Sequence, residues 1–263
     1  MSDRDQLLLP LLSSPRFGRE DFLVGRANDA AFAYIERWPR WLAPAVVIAG
    51  PEGSGKTHLA AIFAAKVKSS QMGTGWRQDF TTKQEDGEAQ SASPAHATLL
   101  RGDHLDPAAV PGLSRAKALV LEDCDRFPPD EVALFHLINL ARETGLFIVM
   151  TARTAPDGWG IRTPDLLSRL RLQPLLELHE PDDALLGALF VKHFSDRQIS
   201  VEANVVTYAM ARIERSYAAV QSLVAALDRH SLIRKKPVTR ALVAEVLGDA
   251  AMQDDGSTPE TRS

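Results

Sequence analysis

Short continuous apolar runs alternate with stretches of helical periodicity over the first 180 residues. The runs fall at residues 45–49, 98–100, 118–121, 147–150 and 175–178. Such a run is typical of a strand that is buried on both faces, as in a parallel sheet covered by helices. Between the runs, apolar residues recur at helical spacing, for instance at Leu59, Ile62 and Phe63. This alternation predicts an α/β fold, a parallel sheet with helices on both faces.

The pattern changes at residue 181, after which only helical periodicity is found. Four segments carry apolar stripes, and the first stripe includes Leu185, Leu189 and Phe190. A small all-α lid domain is therefore expected to follow the sheet domain. The predicted organisation is a flexible tail at 1–15, an α/β domain at 16–180 with a mobile loop at 69–97, a helical lid at 181–248 and a disordered tail at 249–263.

Composition narrows the classes of function. The 263 residues are 45% hydrophobic and 24% charged, as in an ordinary globular protein, and the net charge of −4 argues against bulk nucleic-acid binding. Cys124 is the single cysteine, so no internal disulfide can form, which is typical of a cytosolic protein. No apolar run approaches membrane-spanning length. We expect a cytoplasmic protein without membrane contact, whose direct DNA contact is weak or absent.

A phosphate-binding motif follows the first apolar run. Residues 50–57 fit G-x-x-x-x-G-K-[ST], the P-loop, between a predicted strand and a predicted helix. In such a loop, backbone N–H groups and the helix N-terminus surround a phosphate. Lys56 would contact the β- and γ-phosphates of a bound ADP or ATP, and Thr57 would ligate Mg²⁺. The predicted nucleotide-binding residues are Gly50, Pro51, Glu52, Gly53, Ser54, Gly55, Lys56 and Thr57.

Further polar residues follow two later strands. Glu122 and Asp123 come directly after run 118–121, and an apolar strand ending in paired acids is the Walker B pattern. One carboxylate would hold Mg²⁺ through water, together with Thr57, and the other would orient or deprotonate the attacking water. A solvated acidic turn is the alternative. Thr151 ends the next strand, where a γ-phosphate sensor would lie.

The N-terminal tail contains an apolar segment in a polar setting. Its residues are Gln6, Leu7, Leu8, Leu9, Pro10 and Leu11. An exposed segment of this kind usually docks into the groove of a partner. The alternative is that the leucines pack against their own domain, and the pattern alone does not decide between the two.

The order of these features resembles that of the AAA+ ATPases: P-loop, acidic strand end, polar strand end, late arginine and four-helix lid. Within AAA+, the chain is similar to the family of the bacterial replication initiator DnaA and of its short regulatory relatives, the Hda proteins. Residues 22–28 resemble the adenine-side box of this family, which places Val24 near the nucleotide. Residues 167–170 are similar to the box that holds the arginine finger, which assigns that role to Arg169. A structural ion pair at Arg169, with Arg171 as the functional residue or neither, is the alternative.

The resemblance also implies partners. Residues 6–11 are similar to the motif by which Hda proteins bind the DNA-polymerase sliding clamp, its β subunit. A clamp-bound regulator of this kind stimulates ATP hydrolysis by DnaA and so prevents a second initiation of chromosome replication. Self-association of the chain is left open.

Two departures from the family bear on nucleotide turnover. The Walker B of the family usually opens with aspartate, whereas Glu122 precedes Asp123 here, which puts metal geometry and intrinsic turnover in question. An ungapped count places the lid sensor arginine of the family at Ala219, and Arg215, one turn earlier, is the candidate replacement. Both departures favour a regulator with weak or no ATPase activity. The alternatives are an AAA+ ATPase resembling helicase loaders, with its own turnover and DNA contact, and an adaptor with a vestigial nucleotide site.

Overall fold

A five-stranded parallel sheet forms the centre of the chain in the computed structural model, which describes residues 17–70, 97–234 and 236–254. The strands are β1 (Ala45–Ala49), β2 (Ala97–Arg101), β3 (Ala118–Glu122), β4 (Phe147–Ala152) and β5 (Leu175–Glu177). They lie in the order β2-β3-β4-β1-β5. The predicted α/β sheet is confirmed, and all five apolar runs are strands.

The register of the sheet determines which residues meet at its carboxyl edge. The strand β1 lies between β4 and β5, with Ala49 opposite Ala152 and Glu177. The residues that follow β1 and β4 therefore emerge side by side. In open parallel sheets, ligands bind outside the carboxyl ends of the strands where the strand order reverses, and β1 lies at such a point.

Helices cover both faces of the sheet, which explains why its strands are apolar throughout. Four helices pack against the two faces of the sheet: α1 (Asp29–Glu36), α2 (Lys56–Ser70), α3 (Glu131–Thr144) and α4 (Pro164–Arg171). Successive strand residues point to opposite faces. Accordingly, Val47 and Met150 pack with α3 and α4, whereas Val46 and Ile48 pack with α1 and α2.

Four helices follow the sheet and form a core of their own. They are α5 (Asp183–Ser195), α6 (Ala203–Met210), α7 (Tyr217–Arg234) and α8 (Arg240–Asp254). Phe190, Val224 and Val243 lie in this core, and Ala27 from the N-terminal segment joins it. Among the residues that the structure describes, no helix has the length and apolar character that crossing a membrane requires.

Three predicted boundaries need correction. The helix α8 continues to Asp254, although residues 249–263 were expected to be disordered; alanines at 250 and 251 are strong helix formers and extend it. The helix α2 runs to Ser70 and β2 begins at Ala97, so the loop expected over 69–97 is shorter at both ends. Residues 71–96 and 255–263, and the tail segment 6–11, lie outside the described residues.

Candidate functional site

The turn between β1 and α2 requires glycine at three of its positions. A Cβ on Gly50 would lie 2.5 Å from the carbonyl oxygen of Leu178. Gly53 and Gly55 have φ angles of 70° and 97°, in the left-handed region that favours glycine. A Cβ on Gly53 would also lie 3.0 Å from the Cβ of Ser216, so the lid packs closely against the turn. The turn enters α2 at Lys56, so the unpaired N–H groups and the positive dipole end of a long helix lie beside it.

Lys56 is held inside this turn. Lys56 is only 8% exposed. Its Nζ donates hydrogen bonds to the carbonyl oxygens of Gly50 at 2.8 Å and of Pro51 at 2.7 Å. Burial lowers the pKa of Lys56, and the carboxylates of Asp123 and Asp125 oppose that effect. The chain therefore places a cation at the turn at a cost in desolvation, which is characteristic of functional sites.

Glu122 and Thr57 provide oxygen atoms that fit a magnesium ion. Burial raises the pKa of Glu122, a hydrogen bond with the Thr57 side chain lowers it, and its Oε1 is buried without a hydrogen-bond partner. A hydroxyl and a carboxylate beside a P-loop are the protein ligands that Mg²⁺ uses in such sites, the remainder being water and phosphate. No group of three or more metal-binding side chains occurs among the described residues.

Thr151 anchors the backbone that follows β3. Its hydroxyl accepts a hydrogen bond from the N–H of Asp123 at 3.1 Å, and its carbonyl accepts one from the N–H of Cys124 at 2.9 Å. Asp123 adopts a left-handed φ of 54° at this point. Thr151 is 1% exposed and does not line the cleft described below. The sensor role predicted for Thr151 is therefore not supported; this residue supports the turn that presents Asp123.

A cleft of about 740 Å³ lies between the P-loop turn and the lid. From the sheet domain it is lined by Glu52, Gly53, Gly55, Lys56, Thr57, His58, Asp123, Arg126 and Arg153, and from the lid by residues including Lys192, Arg197, Tyr217, Gln221 and Asp228. The predicted residues Glu52, Gly53, Gly55, Lys56, Thr57 and Asp123 thus meet in one cavity with both basic and acidic side chains around them, whereas Gly50, Pro51, Ser54 and Glu122 do not line it. Within it, Asp123 is the Walker B carboxylate that reaches the cavity surface.

Sequence reasoning missed most of the other residues that line this cleft, among them Tyr217 and Arg153. The Tyr217 N–H donates to the carbonyl of Gly53 at 2.9 Å, and its hydroxyl accepts from Asn28 Nδ2 at 2.6 Å. Burial raises the pKa of Tyr217 to about 12. No motif marks this tyrosine, because its role depends on packing across the domain junction. Arg153 lies two residues after Thr151. Because residues two apart on a strand point to the same face, the position predicted for Thr151 could have drawn attention to Arg153 as well.

The box at residues 22–28 supports the junction without bringing Val24 to the cleft. Asn28 is buried; its Oδ1 accepts from the N–H of Gly25 at 2.8 Å and its Nδ2 donates to the carbonyl of Leu23 at 2.9 Å. Asn28 therefore fixes the loop and makes no side-chain capping bond to α1. Val24 is 47% exposed and is absent from the residues that line the cleft, so the structure does not support its predicted contact with nucleotide.

Arg215 does not replace a lid sensor in this structure. Its Nη2 donates to Asp183 Oδ1 at 2.6 Å and its Nε to the carbonyl of Pro181 at 3.2 Å, away from the residues that line the cleft. Ala219 does not line the cleft either. Among the described residues of α7, those that do are Tyr217, Ala218, Gln221 and Asp228.

Arg169 lies on α4, outside the cleft. Its Nη1 donates to Asn139 Oδ1 at 2.8 Å, its Nε lies 3.2 Å from Asp165 Oδ2, and its guanidinium carbon lies 4.6 Å from the centre of the Phe135 ring. The side chain is 27% exposed. Arg171 on the same helix pairs with Asp157, and both of those side chains are largely exposed. The structure places neither arginine near the P-loop of its own chain.

Glu122→Gln is expected to raise the melting temperature at pH 7 by a few degrees at most. The folded pKa of Glu122 is raised, so the ionised carboxylate destabilises the folded state, and this penalty disappears as the pH falls through that pKa. The gain should therefore shrink as the pH falls toward 4.5, the ordinary pKa of glutamate, and disappear below it. Differential scanning calorimetry between pH 4.5 and 8 measures it.

Glu131→Gln is the matched control with the opposite sign. The Glu131 carboxylate accepts the N–H groups of Arg162 and Thr163 at 2.8 and 2.9 Å, and these hydrogen bonds lower its pKa. Ionised Glu131 stabilises the fold at any pH above the pKa that Glu131 has in the unfolded chain, and this contribution is lost as the pH falls through its folded pKa. Glu131→Gln should therefore lower the melting temperature at pH 7. A melting temperature that falls in both variants would contradict the account of Glu122.

The described fold is similar to the folds of DnaA and RuvB proteins of known structure. Domain III of the replication initiation protein DnaA from Thermotoga maritima matches with a TM-score of 0.70 at 16% identity, over 90% of this chain and 97% of that chain. AMPPCP-bound DnaA from Aquifex aeolicus matches with a TM-score of 0.66 at 14% identity, over 92% and 71%. The Thermotoga maritima RuvB Holliday junction branch migration motor matches with a TM-score of 0.59 at 16% identity, over 81% and 64%. No protein-family profile and no curated protein sequence matches the chain.

These similarities show the fold. The chain has the fold of DnaA domain III and of RuvB, a parallel sheet with helices on both faces followed by a helical lid. At these identities the shared fold does not carry over an activity. The function has to be argued from the cleft and from the surface around it.

Proposed function

We propose that this chain is a nucleotide-binding AAA+ regulator of DnaA that acts while bound to the DNA-polymerase sliding clamp. It holds ADP or ATP with Mg²⁺ and, from its own surface, stimulates the ATP hydrolysis of DnaA. The observation that carries the proposal is that Lys56 and Thr57 of the P-loop and Asp123 of the Walker B segment line one cleft beneath the lid. The residues that hold the lid on the turn, Tyr217 above all, would then couple nucleotide binding to lid position.

The placement of Arg169 supports action on a second protein. Its side chain is partly exposed on α4 and is absent from the cleft of its own chain. An arginine finger acts in trans on the nucleotide of a neighbour, where it stabilises the charge on the γ-phosphoryl oxygens. The similarity of residues 167–170 to the finger box of the DnaA family makes DnaA the proposed neighbour.

Nucleotide chemistry in the cleft would involve this chain's own groups in distinct ways. Lys56 would exchange the carbonyls of Gly50 and Pro51 for phosphate oxygens. Thr57 and a Walker B carboxylate would hold Mg²⁺, which supplies charge neutralisation of the phosphates. Asp123, presented by the Thr151 hydrogen bond, would orient water. Glu122 is partly buried, and burial raises its pKa, so the ionised carboxylate destabilises the folded state; a hydrogen bond with the Thr57 side chain offsets part of this effect.

The test of this proposal measures hydrolysis by a second protein. ATP-loaded DnaA is incubated with and without this chain, in the presence and absence of clamp loaded on DNA. The expected result is that hydrolysis accelerates only when this chain and the DNA-loaded clamp are both present. An unchanged rate in that complete mixture, with each component shown to be folded, would contradict the regulatory function.

A second candidate function is an AAA+ ATPase with its own turnover, resembling helicase loaders. The observation that favours it is that Lys56, Thr57 and Asp123 share one cleft, so the groups for hydrolysis are present in this chain. Phosphate release from ATP by the protein alone distinguishes the two candidates. Steady multiple turnover without DnaA would favour the ATPase, and a single slow turnover would favour the regulator.

Deleting residues 1–12 is expected to abolish binding to the sliding clamp while the melting temperature stays within about 1 °C. The segment 6–11 would dock as an extended peptide, with Gln6 making polar contacts and the leucines filling an apolar pocket. A pull-down with immobilised clamp and a thermal melt measure the two quantities.

The matched control for the tail keeps its length. Replacing Leu8 and Leu9 by serine removes the apolar side chains and leaves the remaining segment intact, and it should abolish the pull-down as the deletion does. Clamp binding that survives both changes would show that the tail is not the docking segment. A large fall in melting temperature would favour the alternative in which the leucines pack against their own domain.

A further inference from the structure

Arg153 emerges beside the first residue of the P-loop turn. The strand β4 pairs with β1, with Ala152 opposite Ala49, and the N–H of Gly50 donates to the carbonyl of Ala152 at 3.2 Å. The next residues on the two strands, Arg153 and Gly50, therefore leave the sheet as neighbours. This position is fixed by backbone hydrogen bonds on a rigid element, as a site for a bound phosphate requires.

The guanidinium of Arg153 shares the cleft with Lys56. Both residues line it, together with Thr57 and Asp123. Burial lowers the pKa of Lys56; the carboxylates of Asp123, Asp125 and Glu52 raise it, and the positive charge of Arg153 lowers it. Two cations that face the same cavity repel each other, and an anion placed between them would relieve this repulsion. The arrangement is therefore suited to a negatively charged ligand.

Arg153 has a partner that leaves much of its hydrogen-bonding capacity unused. Its Nε donates to Asp125 Oδ2 at 3.0 Å, the Asp125 side chain is 6% exposed, and Asp125 Oδ1 is buried without a hydrogen-bond partner. Within the part of the chain that the structure describes, the guanidinium makes no other hydrogen bond, so both Nη groups remain available for planar, bidentate contact with phosphate. The Arg153 side chain is 54% exposed, which leaves it free to reorient.

We infer that Arg153 is the residue of this cleft that distinguishes a nucleoside triphosphate from a diphosphate. In the structure it is held by Asp125, and in the triphosphate complex its guanidinium turns to the γ-phosphate while Asp125 keeps it close. The inference rests on the proposed nucleotide-binding function and assigns the γ-phosphate contact, within the same chain, to a residue other than Thr151. The Thr151 hydroxyl is already occupied by the Asp123 N–H, whereas Arg153, two residues later on the same side of β4, reaches the cleft.

The test compares two ligands in variants of the whole chain. Isothermal titration calorimetry measures the affinities for AMPPCP, which is not hydrolysed, and for ADP, both with Mg²⁺. Arg153→Gln should weaken AMPPCP binding about 10-fold and ADP binding less than about 3-fold, because only the third phosphate loses its cation. Arg153→Lys should give an intermediate loss for AMPPCP, since it keeps the charge without the planar fork.

Two further variants separate this role from general charge and from stability. Arg126 also lines the cleft but lies against the Phe127 ring, so Arg126→Ala should weaken both ligands to a similar, small extent. The double variant Asp125→Asn with Arg153→Gln removes both members of the ion pair without leaving a buried charge unpaired. It should show the same selective loss of AMPPCP binding with a melting temperature close to that of the wild type.

The outcomes are distinguishable. Equal losses of AMPPCP and ADP affinity in Arg153→Gln, or none in either, would overturn the assignment of Arg153 and leave the nucleotide-binding proposal standing. A selective loss of the same size in Arg126→Ala would also overturn the assignment, because general charge would then explain the effect. Failure of the wild-type protein to bind either ligand would overturn both proposals.

Discussion

Replacing Lys56 by alanine is expected to weaken the binding of both ADP and ATP by 30-fold or more. Truncating one partner of a buried, hydrogen-bonded charge pair costs about 2–5 kcal/mol, and 2 kcal/mol corresponds to roughly 30-fold. Lys56 is buried at the turn, and its Nζ donates only to the backbone carbonyls of Gly50 and Pro51 among the described residues. A phosphate would offer this ammonium a stronger, charged acceptor.

The fold should survive this change. Burial lowers the pKa of Lys56, so the ammonium is held at a desolvation cost, and alanine removes that cost together with two hydrogen bonds. Calorimetric titration gives the affinities and a thermal melt gives the stability. Affinities equal to those of the wild type would mean that the turn does not bind the phosphates of a nucleotide.

Lys66→Ala is the matched control on the same helix. Lys66 Nζ lies 3.0 Å from Glu36 Oε2, does not line the cleft and joins α2 to α1. Its removal should lower the melting temperature slightly, because a partly exposed ion pair contributes about 0.2–1 kcal/mol, and should leave nucleotide affinity unchanged. A loss of affinity in both lysine variants would indicate a general effect of charge on α2.

The local parts of this architecture could be predicted from the sequence. A P-loop is a contiguous strand, turn and helix, so its spacing determines where Lys56 and Thr57 lie. The apolar runs likewise determined all five strands, because a parallel sheet covered on both faces leaves continuous apolar segments. In each case the residues that decide the structure are close together in the chain.

The residues that depend on packing between distant segments could not be predicted in the same way. Thr151 was expected at the ligand, but its hydroxyl binds the N–H of Asp123, 28 residues earlier, which the sequence does not reveal. An ungapped count placed the lid sensor at Ala219, with Arg215 one turn earlier as its candidate replacement, whereas the rotation of α7 in the lid core decides that Gln221 lines the cleft. Tyr217 contacts Asn28 across the domain junction, and no local motif marks that contact.

Replacing Arg169 by alanine is expected to reduce the stimulation of DnaA–ATP hydrolysis by about 10³-fold or more. An arginine finger supplied in trans contributes on the order of 10³–10⁵ in rate in well-studied NTPases. The residue lies outside the cleft of its own chain, so its removal should leave the affinity for ADP unchanged, and binding of the clamp should also persist. Arg169→Lys should be a poor replacement, because lysine lacks the planar guanidinium.

The contacts that Arg169 makes within its own chain define the competing explanation. It donates to Asn139 at 2.8 Å, pairs with the largely exposed Asp165 at 3.2 Å and lies over the Phe135 ring. An exposed ion pair between residues four apart on a helix is worth about 0.3–0.5 kcal/mol, so the loss of stability should be a few degrees in melting temperature at most. If the Arg169→Ala variant unfolds, the role of Arg169 is to stabilise its own chain through these contacts.

Arg171→Ala is the control that separates the two explanations. Arg171 lies on the same helix, and its Nε donates to Asp157 at 2.9 Å, so its removal also breaks a surface ion pair of α4. We expect this variant to stimulate DnaA as well as the wild type does, while a folded Arg169→Ala, bound to its own ADP and to the clamp, does not. Full stimulation by Arg169→Ala would show that the finger assignment is wrong. Loss of stimulation in Arg171→Ala alone would move the assignment to Arg171, two residues further along α4.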